Sequence, residues 1–209
     1  MIIGVVSCPQ PPLLLPGITG RPVAEVEELR AACLAAVGEL LAGGPERIVL
    51  VGGCTARERA ADRNPLSMQV GRQLLSQADG SLPVEELVVA DDASTADCLY
   101  LGRALADRIT EATGLLVLAD GSACRGVKAP GYLDERAAPF DARVQAALTA
   151  GDPAGLAALD AELAAELLVA GRAAWQVLAG ATEGRRFDAR LGYSADPFGV
   201  WYPVCGWYS

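Results

Sequence analysis

Three continuous apolar runs constrain this chain more than any other feature of its sequence. Residues 2–6, 47–51 and 115–118 are rich in Ile, Val and Leu without polar alternation, and each is soon closed by Gly, Pro, Asp or Cys. Strands of that kind are covered on both faces, as in a parallel sheet between helices. A fourth run, 86–89, is weaker. The spacing of Val26, Leu29, Cys33, Val37 and Leu40 predicts a helix over 23–41, stopped by Gly43-Gly44-Pro45. Ser94 or Thr95 can cap a second helix that runs through Leu99, Leu101, Leu105 and Ile109 to Gly114. Strand–helix–strand order with right-handed crossovers predicts an α/β fold with a doubly wound, mainly parallel central sheet flanked by helices.

The second half changes character. Residues 134–150 and 160–178 read as amphipathic helices separated by the turn or helix start Gly151-Asp152-Pro153. After Gly184, Phe187, Ala189, Leu191 and Tyr193 alternate with polar or small residues. A turn at 194–199 then leads into 200–207, which predicts a C-terminal antiparallel hairpin added to the sheet. Residues 55–64, rich in Arg, Glu and Asp, are the expected mobile surface loop. With no internal repeat and no low-complexity linker, residues 1–209 are expected to form a single domain.

Histidine is absent from all 209 residues. Imidazole is the usual proton shuttle near neutral pH and the commonest metal ligand, so most hydrolase triads and most iron and zinc sites are excluded. A net charge of −9 argues against nucleic acid and anionic membranes as partners, since both select a basic surface. No run is long and apolar enough to span a bilayer, and the first apolar stretch lacks the basic flank of a secretory leader. Six dispersed cysteines suit a reducing, cytoplasmic setting.

Ligands of open α/β sheets bind beyond the carboxyl ends of the strands. Four segments fall there: Cys8-Pro9-Gln10, Gly52-Gly53-Cys54-Thr55, Asp91-Asp92, and Asp120-Gly121-Ser122-Ala123-Cys124. Cys8, Cys54 and Cys124 could form a thiolate metal or redox site, or pack as small buried hydrophobes; no pair has CxxC spacing. Gly52-Gly53 and Asp120-Gly121-Ser122 could cradle an anion with backbone N–H groups, or serve only their turns. Asp120 and Ser122 could pair as acid and hydroxyl, with Lys128, the sole lysine, as a remote base. Asp91-Asp92 reads as a helix-entry element. Trp175, Trp201, Tyr202, Trp207 and Tyr208 fit either a partner surface or the core.

The opening Cys8-Pro9-Gln10-Pro11-Pro12-Leu13-Leu14, the blocks 118–123 and 128–134, the block 171–180 and the tail 196–202 resemble the class III extradiol ring-cleavage dioxygenase superfamily, of LigB type. The resemblance covers nearly the whole chain and is nearest to a small actinobacterial branch of that group. It implies a LigB-like fold and, in active members, Fe(II) held by two histidines and a carboxylate. It also implies that Gln10 stands at the first ligand histidine, that the second falls near Cys54, and that Ala123 stands at the acid–base histidine. With those positions changed, the expectation is a pseudoenzyme without Fe(II) or another cofactor.

The leading expectation is therefore a noncatalytic member that binds a small molecule or a protein partner, with Gln10, Cys54, Asp120 and Ser122 as candidate cleft residues. The alternative is an enzyme of altered chemistry, a cysteine- or metal-dependent oxidoreductase or dioxygenase using the same strand-end cleft. A homodimer is the default assembly for a soluble chain, with the helix around Trp175 as a candidate contact.

Overall fold

The computed structural model describes residues 1–18 and 20–208. Its centre is a six-stranded sheet in the order β3-β2-β4-β1-β6-β5. The parallel strands are β1 (Ile2–Cys8), β2 (Arg47–Cys54), β3 (Val84–Ala90) and β4 (Thr113–Leu118). The tail supplies β5 (Asp188–Ala195) and β6 (Tyr202–Tyr208), an antiparallel hairpin that joins the sheet through β6 against β1. The sequence-derived fold class is the observed one.

Continuous apolar runs form these strands because neighbouring side chains enter two different cores. Val5, Val49, Val51, Leu115 and Val117 face one core, while Val6, Ile48, Leu50, Leu116 and Leu118 face the other. The second core is roofed by α1 (Ala24–Ala42) and, after the short α2 (Ala56–Ala60), by α3 (Leu66–Gln77). The first is roofed by α4 (Thr95–Arg108), α5 (Ala137–Ala150), the short α6 (Pro153–Ala157) and α7 (Ala161–Glu166), and α8 (Arg172–Ala181). Helices α4 and α8 meet almost backbone to backbone: a Cβ at Gly102 would collide with the Val177 carbonyl.

Three expectations need correction. The helix expected to run to Gly114 ends at Arg108, and Gly114 lies inside β4. Residues 55–64 are not simply a loop, because Thr55 and Glu58 close a capping box that starts α2, and Glu58 also accepts the Leu66 N–H at 2.8 Å. The helix expected over 160–178 is two helices. Helix α7 ends with Leu168 at φ 54° and with the Val169 N–H bonded to the Ala164 carbonyl, a Schellman-like reversal built without glycine. The break turns the chain so that the Gly171 N–H meets the Asp120 carbonyl at 2.8 Å, docking the start of α8 on the end of β4.

Trp175 is fully buried in the core, and its indole N–H donates to Ser7 Oγ at 3.0 Å. Trp201, Tyr202 and Trp207 are buried as well. Tyr208 is partly buried against the second core, so of the two readings packing describes all five of these aromatics. Among the described residues, no helix is long and apolar enough to cross a membrane.

Candidate functional site

Crevices open at the carboxyl edge of a sheet where adjacent strands send their connections to opposite faces. That happens at all three junctions between the parallel strands, β1/β4, β4/β2 and β2/β3, and the first and last of these carry the residues of interest. β1 leads to α1 on one face while its neighbour β4 leads to α5 on the other; β2 leads to α3 and its neighbour β3 to α4.

The β1/β4 junction joins two of the expected residues. The Gln10 N–H donates to Asp120 Oδ1 at 2.7 Å. Burial pushes the Asp120 carboxyl up to about 7 against the opposing pull of that bond. Burial, and then the nearby Asp120 charge, drive the Tyr202 hydroxyl well above the usual phenol range. The Gln10 side chain is 7% exposed and its Oε1 is sealed from water without a hydrogen-bond partner.

Ser122 does not join them. Beyond β4, residues 120–123 run as a ribbon between two other segments. The Gly121 N–H bonds to the Trp201 carbonyl and the Ala123 N–H to that of Leu167, while the Ser122 N–H is held by Asp141 Oδ1 at 3.0 Å. These amides are therefore spent, which removes the anion cradle from this segment; Gly52 and Gly53 lie inside the β2 ladder. The Ser122 hydroxyl donates to Asp141 Oδ2 at 2.6 Å, so its acid is Asp141 rather than Asp120. Ser122 is fully buried and Lys128 is on the surface, so no base serves it there. Arg125 closes the network, 3.8 Å from Asp141 and 2.8 Å from Asp196. Burial raises the Asp141 carboxyl, and the two Ser122 bonds and Arg125 oppose the rise.

The three strand-end thiols are separated by their partners. Cys8 turns into the core, where its thiol meets that of Cys33 on α1; that contact, and then burial, push it well up. Cys124 donates to the Leu167 carbonyl, and burial followed by the charges of Asp134 and Asp141 raises it. Cys54 donates to the Thr55 carbonyl and is raised by burial and then by Glu58. All six cysteines are free and buried. Neutral thiols with different partners do not make the thiolate site considered from the sequence.

The β2/β3 crevice carries a residue that the sequence reading assigned to helix entry. Asp92 and Ser94 behave as expected of that role, with Asp92 paired to Arg59 at 2.9 Å and Ser94 accepting the Asp97 N–H. Asp91 differs. Its Oδ1 lies over Gly53, where a Cβ would collide with it, and is sealed from water without a partner. Burial, and then Glu58, push this carboxyl up to about 6, against Arg59 and Arg172. Asp91 also lines a cavity of about 540 Å³ between the β3–α4 junction, α7 and the start of α8. The only sequence signals for this site were a Gly-Gly before Cys54 and paired aspartates after β3.

The iron implied by the LigB resemblance finds no matching donors. Gln10 offers a neutral amide, Cys54 a neutral thiol and Ala123 a buried methyl group. Among the described residues, no three His, Cys, Asp or Glu side chains converge as a metal site. The residues present do not fit a two-histidine, one-carboxylate iron centre.

Comparisons with known proteins define the fold class only. No protein-family model and no curated protein matches the chain. Among solved structures it is similar to the crystal structure of the uncharacterized protein JW3007 from Escherichia coli K12, with a TM-score of 0.59. The likeness covers 99% of this chain and 100% of that one at 15% identity, and is a likeness of fold.

Proposed function

We propose that this chain is a LigB-type, dioxygenase-like protein that binds a small ligand at its strand-end edge without ring-cleavage chemistry. The observation that carries the reading is the cavity of about 540 Å³ at the carboxyl end of β3, within the size range of small-molecule sites. It lies on the edge where Gln10, Cys54 and Ala123 stand at the positions the resemblance gives to histidine. One sealed acceptor, Asp91 Oδ1, belongs to a residue that lines this cavity, and an unpaired buried polar atom costs stability that a binding role would explain. Six free, buried thiols favour a reducing, cytoplasmic location. The raised thiols at Cys8, Cys54 and Cys124 weigh against cysteine-based catalysis.

Two measurements test this. Protein purified without chelator should contain substoichiometric Fe, Mn and Zn and show no oxygen uptake with catechols after Fe(II) is added. Stoichiometric metal lost on Gln10→Ala or Cys54→Ala, or ring cleavage, overturns the noncatalytic reading. A thermal-shift screen of small cationic, neutral and anionic aromatics should yield binders that shift backbone NMR signals around the cavity. Binders that map only to other surfaces overturn the ligand site.

A further inference from the structure

Building on the small-ligand reading, we propose that the cavity at the carboxyl end of β3 takes an organic ammonium ligand, a protonated amine carried on an apolar body, with Asp91 as its counter-charge. Most of the wall is apolar: Ala93, Ala164, Ala165, Leu168, Val169 and Ala170 line it. The charged residues on it are Asp91, Asp92, Glu162 and Arg172, three acids against one base.

The base is already committed. Arg172 is 5% exposed, and its guanidinium donates to the carbonyls of Asp91 and Ala93, both at 2.6 Å, and to Gln176 Oε1 at 3.1 Å. Arg59, the other cation nearby, is held by Asp92 and by the Cys54 carbonyl at 2.6 Å. Among the described residues no basic side chain forms an ion pair with the Asp91 carboxylate. Asp91 is thus a partly buried carboxylate without a hydrogen-bonded cation among the described residues, on the wall of a largely apolar cavity of ligand size.

An anionic ligand would meet three carboxylates there. A neutral apolar ligand would bury Asp91 further and leave it unpaired. An ammonium group supplies the missing counter-charge, while the alanine wall accommodates the attached ring or chain.

Three isosteric probes separate these cases: 3-phenylpropylamine, 3-phenylpropanol and 3-phenylpropanoate, titrated by calorimetry into the full chain at pH 8. The amine should bind at least about tenfold tighter than the alcohol, with the acid weakest. Asp91→Asn, nearly isosteric, should remove that advantage and leave the alcohol unchanged. Ala165→Trp, at an exposed position on the wall, should block all three while circular dichroism stays native. Amine affinity should fall as pH drops from 8 to 5, because Asp91 becomes protonated. The charged groups around it are Glu58 and Arg59 on α2, Asp92 after β3 and Arg172 on α8, with the Cys54 thiol at the end of β2.

Equal or tighter binding of the alcohol or acid, abolished by Ala165→Trp, overturns the ammonium assignment and leaves the small-ligand reading standing. Amine binding that survives Ala165→Trp overturns the cavity as its site. Failure of all three probes to bind also overturns the ammonium proposal, while the wider screen described above still decides the small-ligand reading.

Discussion

Asp91 and Asp141 are both largely withdrawn from water near the same edge of the sheet, yet they are treated in opposite ways. Asp141 accepts the Ser122 N–H and hydroxyl and faces Arg125, so its lone pairs are answered by the protein itself even though burial still raises its carboxyl. Asp91 has a sealed oxygen over Gly53, no ion pair among the described residues, and a cavity that it lines. The contrast distinguishes two uses of a buried carboxylate. One fastens α5 to the ribbon beyond β4; the other is the group to which we assign the charge of a ligand.

The largest effect expected from this contrast is at Asp141. Replacing it by Ala strands the Ser122 donors and leaves Arg125 with Asp196 alone, and should cost about 3 kcal/mol in urea unfolding at neutral pH. A cost below about 1 kcal/mol would break the contrast, since Asp141 would then be no fastener.

Asp120 and Asp91 should behave in the reverse sense. Both carboxyls titrate higher in the folded protein than the value of about 4 expected in an unfolded chain. The folded state therefore holds their protons longer. Their contribution to stability is full below pH about 4, is lost as pH rises to about 7 for Asp120 and about 6 for Asp91, and stays lost above. Asp120→Asn, which can still accept the Gln10 N–H, should stabilise the protein by roughly 1–2 kcal/mol at pH 8 and by almost nothing at pH 3. Thermal unfolding at the two pH values reads the difference, and a stabilisation that did not depend on pH would show that charge is not the cause.

Asp91→Asn should give the smallest change, a gain of roughly 1 kcal/mol at pH 8 that vanishes at low pH. A loss of stability at pH 8 would sharpen the comparison differently, by revealing a structural partner for Asp91 and returning it to the same class as Asp141.

The sheet was legible in the sequence because burial on both faces leaves a one-dimensional mark, a run without polar interruption. The hairpin was legible for the opposite reason, the alternation from Phe187 to Tyr193. Helix α3 was not anticipated, because its core face includes Ser67 and Gly71: Ser67 donates to the Gly53 carbonyl, and Gly71 sits against Leu50 and Leu118. Nor was the break after Glu166 visible, since a left-handed Leu168 carries none of the usual Gly or Pro punctuation. At the strand ends, the sequence could bring Gln10 and Asp120 to one edge but could not say which acid Ser122 would meet. Asp141 lies nineteen residues further on, inside α5, without a motif to mark it. Asp91 looked like helix punctuation because what sets it apart, a sealed oxygen over Gly53, exists only once β2 and β3 are side by side.

The alanines beside Asp91 carry one more consequence. Ala161 and Ala165 are partly or fully exposed on α7, which has its own Asp160 cap and its own reversal at Leu168. Side chains of other sizes can therefore be tried there one at a time without disturbing the sheet or the Arg172 brace. On the proposed reading the cavity is a mould with an adjustable wall, whose size α7 can change while the rest of the scaffold stays intact.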